Sequence, residues 1–223
     1  RSAVAALVLP PSLAAAEEAP SVADTTDLVN MTPEELLVRA SSSALQYEAL
    51  RKPAQRLLVK NHEESVPYLV TRLDTDDVRE RIAVENTLVE IGSPAVAPLI
   101  ESLAREAERV DTTRGARLAA GILGKIGDVR AVGPLVDTRG NSSWKVRGAV
   151  AEALGRIGDA GAVPGLVELI DDQNEIVRNS AAVGLGRIAR AHLDALQGRD
   201  DVNLVGGVEP VRSVAEAWEA LGV

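Results

Sequence analysis

The sequence predicts an all-α fold, an α-α superhelix of about five to six stacked helical hairpins. Three observations predict it. The segment VRGAVAEALGRIG at Val146 recurs as VRNSAAVGLGRIA at Val177, with looser copies at Arg81 and Ala116. Four short apolar motifs, each with Pro at its second or third place and Leu at its fourth, begin at Val66, Val96, Val132 and Val163, at spacings of 30, 36 and 31 residues. Self-similarity at such a period marks a solenoid. Aromatic residues make up only 2% of the chain, and Phe is absent. A core built from Ala, Val, Leu and Gly suits thin layers of helix on helix, in which each unit buries its apolar face against its neighbours.

From the N-terminus, residues 2–9 are an apolar run, followed by Pro10-Pro11 and an Ala-x-Ala ending at Ala16. This resembles the back half of a secretory signal peptide, so residues 1–16 are expected to be a leader remnant. A periplasmic or secreted protein follows, with a cytoplasmic location as the alternative. The run is too short and too broken by proline to span a bilayer. Residues 17–31 are acidic and lack a period, and they read as a linker. The repeat domain is then expected over residues 32–223.

Thr32-Pro33-Glu34-Glu35 is a helix start: a capping hydroxyl, Pro at the first helical position, and acids at the positive end of the dipole. Residues 32–40 and 44–60 read as the two helices of a degenerate first unit. In the best-defined unit, Val132, Leu135 and Val136 share one face of a short first helix. A turn over residues 140–143 follows, with Ser142 or Ser143 placed to cap the second helix. That helix carries Ala149, Val150, Ala153, Leu154 and Ile157 as its apolar stripe. Gly158 ends it, as Gly92 and Gly127 end earlier copies, because only Gly enters a left-handed cap without a Cβ penalty. Ala189 replaces this Gly in the last clear copy, so that helix is expected to run on toward His192. Residues 197–208 read as a loop, and residues 211–218 as one further second helix.

These units resemble HEAT-like repeats of the short type associated with phycobilisome lyases. The helices at Val146 and Val177, the polar turns before them and the Val-x-Pro-Leu motifs carry the resemblance. Their period is shorter than the ~40–47 residues usual for HEAT and armadillo units. The signature motifs of ankyrin and tetratricopeptide repeats are absent. The resemblance implies a HEAT-like solenoid whose second helices line a concave face that binds a protein or peptide. It also implies an alternative, a bilin-lyase-like subunit that handles a chromophore.

Two columns of cations follow the repeat. Arg51, Arg81, Arg147 and Arg178 each stand seven residues before a core Leu, on the same helix face. They are expected to brace the turns between units by pairing with Asp74, Asp76, Asp171 or Asp172, since a forked guanidinium suits partly buried carboxylates. Ala116 breaks this column, with Arg117 one place off. Lys60, Lys125, Arg156 and Arg187 stand two residues after the core Leu, about 200° around the helix. Two readings apply to this second column. The cations either face the groove or offset the macrodipole at a helix C-terminus. The candidate groove residues are Glu85, Asn86, Val89, Lys125, Glu152, Arg156, Val183 and Arg187, with Gly121, Gly155, Gly184 and Gly186 allowing close approach. Trp144 is either an anchor for a partner or a filler between turns.

Chemistry is sparse. The net charge of -9 argues against a nucleic-acid footprint. There is no Cys, hence no thiolate nucleophile and no Cys-based zinc site. His62-Glu63 is similar to one of the His-Glu pairs that bind iron in deoxyhypusine hydroxylase, but that site needs several pairs and this chain has one. No Ser has a nearby His base. The expectation is therefore no enzyme, no cofactor, no metal and no membrane span.

Overall fold

In the computed structural model described here, residues 27–107 and 113–197 are placed well enough to describe. The leader remnant over residues 1–16 and the further helix expected at residues 211–218 lie outside these residues, as do most of the linker and all but the first residue of the 197–208 loop. The described residues form helices and connecting turns, without a strand. Five hairpins follow one another. They are α1 (Pro33–Ser41) with α2 (Arg51–Lys60), α3 (His62–Thr71) with α4 (Val78–Ile91), and α5 (Val96–Ala107) with α6 (Arg114–Ile126). The last two are α7 (Val132–Asp137) with α8 (Trp144–Ile157), and α9 (Val163–Ile170) with α10 (Glu175–Gln197).

The first helix begins as the sequence dictates. Thr32 Oγ1 accepts from Glu35 N at 3.3 Å, and Glu35 Oε2 accepts from Thr32 N at 2.9 Å. This is a reciprocal capping box, and it satisfies two otherwise orphaned donors. The folded region starts earlier than expected: Asp27–Asn30 is a 3-10 turn, and Leu28 is buried against the core. An acidic, aperiodic composition hid one leucine that packs. The expected single helix over residues 44–60 is instead a 3-10 segment, Leu45–Leu50, followed by α2. Pro53 explains the break. It lacks an N–H and its ring would clash with the carbonyl four residues back, so it is accommodated in the first turn of a new helix.

The core is a continuous column. Leu58, Leu88, Leu123, Leu154 and Leu185, the leucines that set the repeat register, are all buried, as are Leu69, Leu99, Leu135 and Leu166 of the first helices. Gly127 and Gly158 are left-handed, at φ 75° and 77°, and each donates its N–H to the carbonyl four residues back. Gly92 also has a positive φ, 71°, but with ψ -129° it leads straight into Ser93-Pro94 rather than into a left-handed cap. Where Ala189 stands in this register, α10 continues unbroken to Gln197.

Neighbouring second helices pack by a rule. The residue after the core Leu of one helix meets the residue before the core Leu of the next. At α6 on α8 these are Gly124 and Ala153; at α8 on α10 they are Gly155 and Gly184. A Cβ on Gly155 would lie 2.3 Å from the Gly184 Cα, so the two backbones touch. Gly121 and Gly186 face open space instead.

Candidate functional site

The second helices α4, α6, α8 and α10 together form the floor of an open groove of about 900 Å³. Of the candidate groove residues, Glu85, Gly121, Lys125, Glu152 and Arg156 line it. Asn86, Val89, Val183 and Arg187 do not. Asn86, Val183 and Arg187 are exposed elsewhere on their helices, and Val89 is partly buried against the core. Of the cation column, Lys125 and Arg156 therefore reach the groove, and both are neutralised there. Lys125 Nζ donates to Glu85 Oε1 at 2.5 Å, joining α6 to α4, and Arg156 Nη2 donates to Glu152 Oε1 at 2.7 Å within α8. Glu90 takes the column's place two residues after Leu88, and its carboxylate accepts from Gln55 Nε2 at 3.0 Å.

At the other end of the groove the helix N-termini present Trp144, Lys145, Arg117 and Ile176. Trp144 is 37% exposed at the start of α8, with the Lys145 ammonium 5.8 Å from its ring centre. It thus stands in the groove wall. Arg114, which the sequence did not single out, donates to Asp76 Oδ1 at 2.6 Å and to the carbonyls of Asp74 and Thr75 at 3.3 and 3.4 Å. It supplies from α6 a guanidinium that reaches the preceding turn, in the one unit where Ala116 breaks the arginine column.

The arginine column braces turns, but mostly by carbonyl contacts. Arg147 Nη1 donates to the carbonyls of Asn141 and Ser142 at 2.9 and 3.1 Å, and Arg178 Nη1 to those of Asp172 and Gln173 at 2.9 and 3.1 Å. Arg81 reaches the Thr75 carbonyl and Arg51 the Ser42 carbonyl. Each ties a second helix to the turn of its own hairpin. The carboxylate pairing between units is made at Arg147, whose Nε and Nη2 fork onto Asp172 at 2.6 and 2.9 Å. That hydrogen bonding holds the Asp172 carboxyl below its usual range despite the burial that opposes it. The expected caps Ser142 and Ser143 are not used: the Ser143 side chain makes no capping bond, and Asn141 Oδ1 accepts from Ser143 N at 2.9 Å. Asp77 does cap α4, and the backbone N–H groups of Glu80 and Arg79 lower its pKa.

Residues 111–186 match the family model for HEAT repeats. This part of the chain is a run of HEAT repeats. No curated protein matches the chain. Among solved structures, it is similar to human deoxyhypusine hydroxylase in complex with glycerol, at 22% identity and a TM-score of 0.47, covering 75% of this chain and 64% of that one. It is also similar to the Escherichia coli protein YibA, at 18% identity and a TM-score of 0.46, covering 86% and 71%. A designed armadillo repeat protein in complex with the peptide (KR)4 matches at 19% identity and a TM-score of 0.41, covering 84% of this chain and 98% of that one.

The HEAT repeats hold most of the groove, including Gly121, Lys125, Trp144, Glu152 and Arg156, whereas Glu85 lies before them in α4. Among the described residues, no group of three or more His, Asp or Glu is placed to hold a metal ion. His62 opens α3, as a helix-end residue. No helix among the described residues is long and apolar enough to cross a membrane.

Proposed function

We infer that this chain is a non-catalytic interaction module that holds a protein or peptide along the groove of its second helices. The observation that carries this reading is the groove itself. It is open, it runs over four consecutive second helices, and its walls are tied in place by Lys125–Glu85, Arg156–Glu152 and Arg114–Asp76. A surface preformed in this way spends little free energy on ordering when a partner arrives. Affinity is then spread along an extended contact rather than concentrated in a deep pocket. The bilin-lyase alternative finds no support in the comparisons above. Export to the periplasm or beyond is part of this proposal, and it rests on the leader-like composition of residues 1–16.

Gly121 provides the test. A side chain there meets nothing within 4 Å, so the fold accommodates it while the groove is filled. Gly121→Tyr is expected to abolish affinity capture of native partners. Gly186→Tyr, also in open space but outside the groove, is expected to leave capture intact. Equal capture by both variants and the wild type would remove the groove reading.

A further inference from the structure

The groove carries both signs of charge, but the signs are not left equally satisfied. Lys125, Arg156 and Arg114 each hold a carboxylate within 2.7 Å, and Arg81 is committed to the Thr75 carbonyl. Arg117 and Lys145 have no carboxylate partner among the described residues, although the whole chain carries a net charge of -9. Both are exposed and both line the groove at its N-terminal end. Between and beside them stand two apolar side chains in the same wall, Trp144 at 37% and Ile176 at 55% exposure. The Lys145 ammonium over the Trp144 ring is attracted by its π face, which holds the cation beside the apolar surface while its N–H donors stay available.

We propose that this end of the groove takes an acidic, extended peptide segment, with carboxylates on Arg117 and Lys145 and an apolar side chain seated against Trp144 and Ile176. The proposal rests on the groove reading above and adds the chemistry of the partner. Charge complementarity picks the sign: six cations against four carboxylates line the groove, Asp74 being the carboxylate without an ion pair among the described residues, and this excess favours an anionic ligand and disfavours a cationic one. The exposed indole and isoleucine pick a ligand that also carries apolar side chains, since Trp is a preferred anchor at interfaces. The length suits a peptide. Four second helices at ~9–10 Å spacing cover about 30 Å, the span of about nine extended residues. The four carboxylates in the groove and the net charge of -9 repel a backbone that carries a charge at every nucleotide, so the peptide is favoured over a nucleic acid.

The test uses fluorescence anisotropy with the full chain and three labelled peptides of about nine residues, in which Leu alternates with Glu, with Gln or with Lys. The Glu peptide is expected to bind, to weaken as salt rises, and to bind more tightly than the Gln or Lys peptides. Arg117→Gln combined with Lys145→Gln is expected to weaken it about tenfold, within the range for two exposed ion pairs. Arg79→Gln combined with Arg190→Gln, two exposed cations outside the groove, is expected to leave it unchanged. Circular dichroism confirms that each variant is folded. Equal binding of the Gln peptide, or an Arg117/Lys145 variant that binds as the wild type does, would overturn the proposal. So would full displacement of the Glu peptide by a single-stranded oligonucleotide that itself loses affinity in the Arg117/Lys145 variant. If Gly121→Tyr abolishes native capture but no acidic peptide binds, this proposal fails while the groove reading stands. If Gly121→Tyr leaves capture intact, the groove reading itself fails.

Discussion

Glycine does opposite things at two nearby positions of the same stack. Gly155 presses its Cα against Gly184, and an added Cβ would sit 2.3 Å from that backbone atom, which no rotamer change relieves. Gly155→Ala is therefore expected to push α8 off α10 and to destabilise the fold by about 1–3 kcal/mol. Gly186 is mid-helix in open space, so Gly186→Ala is expected to stabilise by about 0.5–1 kcal/mol through helix propensity alone. Urea unfolding followed by circular dichroism gives both signs, and midpoints moving in the same direction would contradict this packing. At the residue scale the sequence marks glycine as significant in both places. It does not tell which one is touched, because that depends on a neighbour about thirty residues away in the next repeat. Asp76 with Arg114 and Glu85 with Lys125 were hidden for the same reason: the partners lie 38 and 40 residues apart.

Within an element, the periodic features were legible and the acceptors were not. The leucine register, the positive-φ glycines after Ile91, Ile126 and Ile157, and the Thr32 capping box all follow from local rules, and all are present. The arginine column was visible as a spacing, but its main acceptors are carbonyls of the hairpin turn, which no side-chain pattern displays. Asp172 is where the column also takes a carboxylate. Its side chain is 7% exposed, and Arg147 forks onto it from the preceding unit. Its pKa is lowered in the folded state, so the stability it contributes is fully present above its unfolded value, about 3.9, and is lost as pH falls through the folded value. Asp172→Asn is expected to cost about 2–3 kcal/mol at neutral pH, the scale of hydrogen bonds to a charged group. The gap between variant and wild type should begin to close below about pH 3.9, the unfolded value, and keep narrowing as the wild-type carboxyl takes up its proton. A pH-independent gap in urea midpoints would show that the loss is one of shape and not of the charged pair.

For the whole molecule, the repeat period was enough to read a solenoid, because every unit must bury one apolar face on the next. Its period could not assign roles to the surfaces. The column of Lys60, Lys125, Arg156 and Arg187 leaves open whether its cations face the groove or offset the helix dipole, and in the groove Lys125 and Arg156 are cancelled by Glu85 and Glu152. Arg117 and Lys145, which have no carboxylate partner among the described residues, sit at the opposite end, with Trp144. What separates the groove from the rest of the surface is the stacking of α4, α6, α8 and α10, a property of the assembled chain. Photocrosslinking in the native cell tests it most directly, with a benzophenone amino acid placed at Gly121 in the groove or at Val167, an exposed position on α9 outside it. A groove that holds the partner predicts protein adducts from position 121 and none from position 167; adducts from 167 with none from 121 would contradict it.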